Sequence, residues 1–226
     1  MKLFDKLLFA NEKECEEFAF YLSQRGLYLY KQVYDILSED RIEITYQEFS
    51  SIIRYDKALR YKIYEYLSLF EEHWRNRLLT EYDVPSPNGG PYKQHRGDIS
   101  QDLCPNEDKS YSNLFYRLEL DLGKLIELCI EKSLTNISSN DLKRIKQLRN
   151  QTMHHTMLLF GHARNKQEIL THCDKIEKQI NTLYNNLPQQ YKQGFITAIN
   201  QLNGKKEQHL SRYYLEASND GIRIKK

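Results

Sequence analysis

TYQEFSSIIRYDKALRYKIYEYLSLFEEHWRNRLLT, residues 45–80, carries the strongest periodicity in the chain. Its apolar side chains, among them Phe49, Ile52, Ile53, Leu59, Ile63, Leu67, Phe70, Trp74 and Leu78, recur mostly at three- and four-residue intervals. Each residue of an α-helix advances about 100° around the axis, so this spacing gathers them on one face. Thr45 stands three positions before Glu48, the spacing of a capping box, in which hydroxyl and carboxylate each accept an exposed backbone N–H. Neither glycine nor proline interrupts the run. The reading is one long central helix with room for a single kink, and an all-α bundle packed around it.

The flanking segments are helical as well. Asn11 caps a segment in which Glu12 and Glu14 favour the first turn, and Phe18, Tyr21 and Leu22 give it an apolar face. Gly26 ends that helix, and a shorter one follows to about Leu37. Beyond the central helix, apolar spacing predicts helices over Ser112 to Lys132, Lys166 to Tyr184 and Tyr191 to Leu202, the last stopped at Asn203-Gly204. Strand-like alternation is confined to Arg41 to Thr45. Between helices, Pro85-Ser86-Pro87-Asn88-Gly89-Gly90-Pro91 opens a stretch holding four of the chain's five prolines. It predicts a loop over 84–109. Lys93, His95 and Arg96 make this loop a candidate RNA-contacting flap, with a plain surface loop as the alternative. The division expected is an N-terminal helical extension (1–44), a helical domain (45–204) carrying that loop, and a C-terminal tail (205–226).

Composition narrows the classes of function. The chain has 226 residues, 40% hydrophobic side chains and a formal net charge of +2. That supports a folded core, and it is too weakly basic to announce a nucleic-acid binder by charge alone. Seventeen tyrosines accompany one tryptophan. At helical spacing they are expected mainly to bury the ring and wet the hydroxyl, with base stacking as the other use. Cys15, Cys104, Cys129 and Cys173 form no paired motif, and the histidines lack the spacing of a helical zinc pair. No metal or other cofactor is expected. Neither an apolar leader nor a spanning segment is present, so the expectation is a soluble, cytoplasmic protein without membrane partners.

The chemistry concentrates in Ile145-Lys146-Gln147-Leu148-Arg149-Asn150-Gln151-Thr152-Met153-His154-His155. Ser138-Ser139-Asn140-Asp141 supplies a helix entry, and the period from Leu142 through Leu148, Thr152 and Leu159 extends the predicted helix to about Gly161. Asn150 and His154, four apart, share a face, so the amide can fix the imidazole tautomer. Lys143, Lys146 and Gln147 lie on that polar side. Arg149 is roughly 140° from His154 on a straight helix. Read from spacing alone, Arg149 belongs in a structural ion pair and His154 is a surface histidine. The functional alternative is RNA cleavage. A histidine near its neutral-range pKa moves the proton of a 2′-hydroxyl or of a leaving 5′-oxygen, and a guanidinium stabilises the extra charge on phosphorus oxygens.

Leu148-Arg149-Asn150-Gln151-Thr152-Met153-His154-His155 resembles the arginine–asparagine–spacer–histidine signature of the HEPN superfamily. A second block is similar to the Abi-like (bacteriophage abortive infection) family within it: Thr45-Tyr46-Gln47-Glu48-Phe49, then Tyr55-Asp56-Lys57-Ala58-Leu59-Arg60, then Glu71 and Arg75. Arg25-Gly26-Leu27 also looks like that family's turn. The interval from Asp35 to Ile44 is shorter than the family's. The resemblance covers roughly residues 20 to 160.

It implies a HEPN-type helical bundle and a metal-independent endoribonuclease of the abortive-infection or toxin type, leaving 2′,3′-cyclic phosphate and 5′-hydroxyl ends in phage defence. Arg149 and His154 would be catalytic, with Asn150 orienting and His155 in reserve. Lys143 and Lys146 would touch RNA, and Arg60, Glu71 and Arg75 would support the site structurally. The divergence of Arg149 and His154 predicts a composite active site between two motif helices of a homodimer. RNA is the implied substrate, and a small structured RNA the implied regulator. Two other readings stand beside it: a non-catalytic HEPN module that binds RNA, and a helical protein–protein adaptor.

Overall fold

A computed structural model of the chain describes residues 2–39, 42–82, 121–153 and 157–204. The loop 84–109, the first half of the helix expected from Ser112, the tail 205–226 and both His154 and His155 lie outside the described residues.

Among the described residues the protein is all-α, with seven α-helices and two very short strands. After a 3-10 turn at Lys2–Phe4 come β1 (Leu7–Leu8), α1 (Glu12–Arg25), α2 (Leu27–Leu37), β2 (Ile44–Thr45) and α3 (Tyr46–Tyr82). Then follow α4 (Leu122–Glu131), α5 (Ser139–Met153), α6 (Lys166–Asn186) and α7 (Gln189–Gly204).

Local chemistry sets the ends. The Asn11 carboxamide accepts the Glu14 N–H at 3.0 Å to start α1. Gly26 ends it at φ +84°, a left-handed backbone that an L side chain resists. Thr45 Oγ1 accepts the Glu48 N–H at 3.2 Å, and the Glu48 carboxylate reaches back to the Thr45 N–H at 3.5 Å. From that box α3 runs 37 residues, about 55 Å at helical rise. It packs against α4, α5 and α7, and is therefore the spine. Phe49, Leu59, Ile63 and Phe70 on its inner face are fully buried. Each such side chain contributes about 1.5–3 kcal/mol through removal from water.

The sequence division at 44/45 does not coincide with a break in packing. Residues 7 and 8 pair in parallel with residues 44 and 45, Leu7 opposite Ile44 and Leu8 opposite Thr45. Phe18 of α1 meets Phe49 of α3 edge-on at 6.0 Å, and both belong to one continuous core. The Tyr34 hydroxyl accepts the Lys6 N–H at 3.0 Å and donates to Asp5 at 2.6 Å, which straps the N-terminus to α2. Tyr30, Tyr34, Tyr46 and Tyr66 bury their rings, whereas Tyr28, Tyr61 and Tyr64 stand in solvent.

The motif helix is shorter than its periodicity suggested. Helix α5 is described to Met153, and residues 158–162 form a turn rather than a continuation to Gly161. Leu159 is buried as expected of the stripe, but its N–H goes to Asp56 of α3 at 2.8 Å, 103 positions away. Gly161, at φ +53°, carries the chain through the turn. A tertiary hydrogen bond has replaced the local one.

Candidate functional site

Helix α5 begins where Ser138 Oγ accepts the Asp141 N–H at 3.1 Å. Leu142, Ile145, Leu148 and Thr152 are buried against the bundle, chiefly along α6 and α3. The buried Thr152 hydroxyl is satisfied by donating to the Leu148 carbonyl at 2.7 Å. That anchoring fixes what the other faces present. Lys143 and Asn150 are exposed, while Arg149 is half-buried at the edge of the stripe. Arg144 pairs loosely with Asp141 at 3.5 Å.

Two side chains grouped with this polar face are used differently. Gln147 accepts a hydrogen bond from the buried Gln179 of α6 at 3.2 Å. Lys146 is half-buried, its ammonium lying in the space that a Cβ on Gly123 would fill, at the start of α4. The Lys143 and Lys146 pair expected to touch RNA is thus split into one solvated cation and one that packs against a neighbouring helix.

The three residues expected to support the site form two separate clusters on α3. Arg75 and Glu71 pair at 2.6 Å. Arg60 lies eleven positions before Glu71, about 16 Å along the axis. Its Nε is 3.1 Å from Asp56 Oδ2, an ion-pair contact rather than a well-aligned hydrogen bond.

Asp56 is the residue that sequence reasoning undervalued. It is 1% exposed, and its Oδ1 accepts the Leu159 N–H. Burial pushes its carboxyl up to about 6, while the backbone N–H of Leu159 and the Arg60 charge hold it down. A signal was present: position 56 falls in the apolar register of Ile52, Leu59 and Ile63, where a carboxylate must find donors inside the fold.

The turn that Asp56 holds is clamped from two other helices. Gln32 of α2 donates to the carbonyls of Gly161 at 3.0 Å and Ala163 at 3.4 Å. His172 Nε2 of α6 lies 2.9 Å from the Leu158 carbonyl, so that nitrogen carries the proton. Burial lowers the pKa of His172, which suits a neutral ring in this place. Cys173 beside it is pushed up to about 12 by burial, which leaves the thiol protonated and unsuited to nucleophilic work at neutral pH.

The turn is bordered by two depressions. One, of about 290 Å³, is walled by α1, α2 and α3 and by Met157. The other, of about 570 Å³, lies between α2 and residues 162–164. No helix among the described residues is long and apolar enough to cross a membrane.

The arrangement offers a guanidinium and a carboxamide on the last described turns of one firmly packed helix, directly preceding two histidines in sequence, and a clamped turn immediately beyond. No protein-family model, curated protein or solved structure matches the chain.

Proposed function

We propose that the protein is a metal-independent endoribonuclease of the abortive-infection type, with a HEPN-like bundle, acting on cytoplasmic RNA in phage defence. The observation that carries this reading is the state of Arg149 and Asn150. Neither is buried, and they stand within five positions of the His154-His155 pair that follows Met153. A guanidinium sealed in the core would have no access to a phosphodiester. This one is at the edge of the buried stripe, and its backbone is fixed by Leu148 and Thr152 beneath it.

In the reaction, the 2′-oxygen attacks the adjacent phosphorus as its proton passes to a base. The bond from phosphorus to the 5′-oxygen then breaks, and that oxygen takes up a proton. The ends are a 2′,3′-cyclic phosphate and a 5′-hydroxyl. His154 is the acid or base, with His155 as the substitute, and Arg149 stabilises the charge on the nonbridging oxygens. Asn150 orients the imidazole. The site is completed across the twofold axis of a homodimer, because Arg149 and His154 leave a helix in different directions. The resemblance adds a small structured RNA as regulator.

The test is incubation of purified protein with labelled RNA in EDTA, with the product ends mapped chemically. Replacing His154 by Ala removes about 10²–10⁴-fold of the rate, the span of general acid–base catalysis. Arg149→Ala costs about 10²–10³-fold, as for loss of one charge-stabilising donor. RNA retained but uncut by the wild type identifies a non-catalytic RNA-binding module instead. One observation favours the adaptor reading. Phe20, Tyr21, Leu27 and Tyr28 are large and exposed where α1 meets α2, the kind of surface a protein partner covers. Absence of any salt-dependent affinity for RNA would decide for it.

A further inference from the structure

The smaller depression differs from an ordinary surface dimple in the chemistry of its walls. Leu29, Ile53 and the buried Met157 make one side apolar, whereas Gln24, Lys57 and Arg60 make the other polar and cationic. Asp56 also lines it. The carboxylate does not turn the site acidic, since its Oδ1 is occupied by the Leu159 N–H and its Oδ2 faces Arg60. With Asp56 engaged, Lys57 and Arg60 leave the lining a net positive charge. At about 290 Å³ the cavity lies at the small end of ligand pockets, the size for one compact ligand rather than a peptide or lipid chain.

Three requirements follow for the occupant. It needs a flat or apolar face for Leu29, Ile53 and the adaptable Met157. It needs an edge carrying both donors and acceptors, because the Gln24 amide offers each. It needs an anion for Lys57 and Arg60. A nucleotide has all three in one molecule.

The outer surface of α3 extends the same pattern. Tyr61 lies one turn beyond Lys57 and Tyr64 one turn beyond Arg60, so these side chains are neighbours on the helix. Both rings are open to solvent, Tyr61 at 67% and Tyr64 at 46%. Exposed rings beside cations are how sequence-tolerant proteins hold unpaired bases.

We propose that the cavity formed by Gln24, Leu29, Ile53, Lys57, Arg60 and Met157 is a binding subsite for one nucleotide of single-stranded RNA, with Tyr61 and Tyr64 stacking the bases that follow. The subsite deepens the endoribonuclease reading and rests on it for the identity of the strand. None of its lining residues belongs to the Arg149 helix, so it is a contact to the strand additional to Arg149.

The experiment uses the full chain and two probes that cannot be cleaved: adenosine 5′-monophosphate, and a short fluorescent 2′-O-methyl RNA. Lys57 is exposed, so Lys57→Glu should fold, which circular dichroism verifies. It weakens both probes on the order of tenfold, the loss of one charge-assisted hydrogen bond. Tyr61→Ala weakens the oligonucleotide and leaves the mononucleotide unchanged. Lys124→Glu, an equally exposed cation of α4, changes neither. No binding by the wild type, or equal losses with Lys57→Glu and Lys124→Glu, overturns the subsite.

Cleavage of unmodified RNA is read separately. Protein that binds through Lys57 yet leaves RNA intact keeps the subsite and defeats the endoribonuclease. Protein that cuts RNA with affinity and KM indifferent to Lys57→Glu does the reverse.

Discussion

The buried Asp56 makes a quantitative prediction about stability against pH. An unfolded aspartate titrates at 3.8, whereas in the fold burial lifts this group to about 6. Between those values the folded state binds the proton and the unfolded state does not. Stability from this group is therefore highest below pH 3.8 and falls as pH rises through about 6. The whole effect is about 3 kcal/mol at 1.36 kcal/mol for each pH unit separating the two pKa values. His73 and His172 work in the opposite direction, because burial lowers both and acidification must charge them. The clean measurement is thus a difference. Urea unfolding of the wild type and of Asp56→Asn is followed from pH 4 to pH 7, and one free energy is subtracted from the other. The asparagine keeps an acceptor for Leu159 but cannot ionise, and the histidines cancel. The wild type should lose roughly 2 kcal/mol or a little more relative to the variant across that range, about four-fifths of the whole effect, because at pH 4 the unfolded aspartate is already partly ionised. A difference that rises with pH would refute the reasoning, since Arg60 and the backbone donors would then outweigh desolvation.

Three further outcomes follow from packing and from the clamp. Phe49→Ala empties the junction of α1, α2 and α3 and should cost about 3–5 kcal/mol in chemical denaturation, as large-to-small core changes do; a cost below about 1 kcal/mol would mean that the junction collapses freely. Gly161→Ala adds a Cβ 2.7 Å from the His172 ring at a backbone of φ +53°, so the melting temperature falls and the His172 imidazole resonance moves in NMR. In amide exchange, Asp56→Leu should lower protection of Leu159 by about 10- to 100-fold while Asp56→Asn retains it, because only the latter keeps an acceptor. Equal protection in the two variants would show that the bond is not what holds this amide.

The sequence made the helices legible because their signals are local. Asn11, Gly26, Thr45 with Glu48, and Ser138 each act within four residues, and each does in the fold what its side chain predicts. Long apolar registers did the rest for α3, α6 and α7. What stayed hidden depends on partners far away in sequence. The two-residue strand Leu7–Leu8 is too short for alternation to register, and its partner Ile44–Thr45, at the end of the alternating stretch from Arg41, lies 37 positions away. The turn beyond α5 is held through Leu159 by Asp56, which no reading of residues 139–161 contains. Lys146 looked like a second solvated cation because periodicity reports an angle around the helix and not the glycine opposite it. At the candidate site, Arg149 and Asn150 could be placed on faces from spacing alone. The clamp formed by Gln32, Asp56 and His172 could not, since each of the three bonds to a backbone group that pattern does not single out.

The choice of a carboxylate at position 56 carries one more consequence. A neutral acceptor would satisfy the Leu159 N–H without the cost of burying a charge. The carboxylate also draws Arg60 against the cavity wall, at 3.1 Å, and so ties two distant features together through one side chain. On one oxygen sits the turn that begins just after the histidine pair. On the other sits Arg60, a cation of the proposed nucleotide subsite. A phosphate that pulls on Arg60 competes for the same charge that Asp56 uses, and Asp56 then relies more heavily on the Leu159 N–H. Occupancy of the cavity should tighten the turn, and loosening of the turn should leave Asp56 holding Arg60 more firmly and weaken binding in the cavity, since coupling between two sites acts equally in both directions. Under the proposed endoribonuclease reading, a buried charge shared between the cavity and the turn that follows the histidine pair would provide such a link without any moving domain.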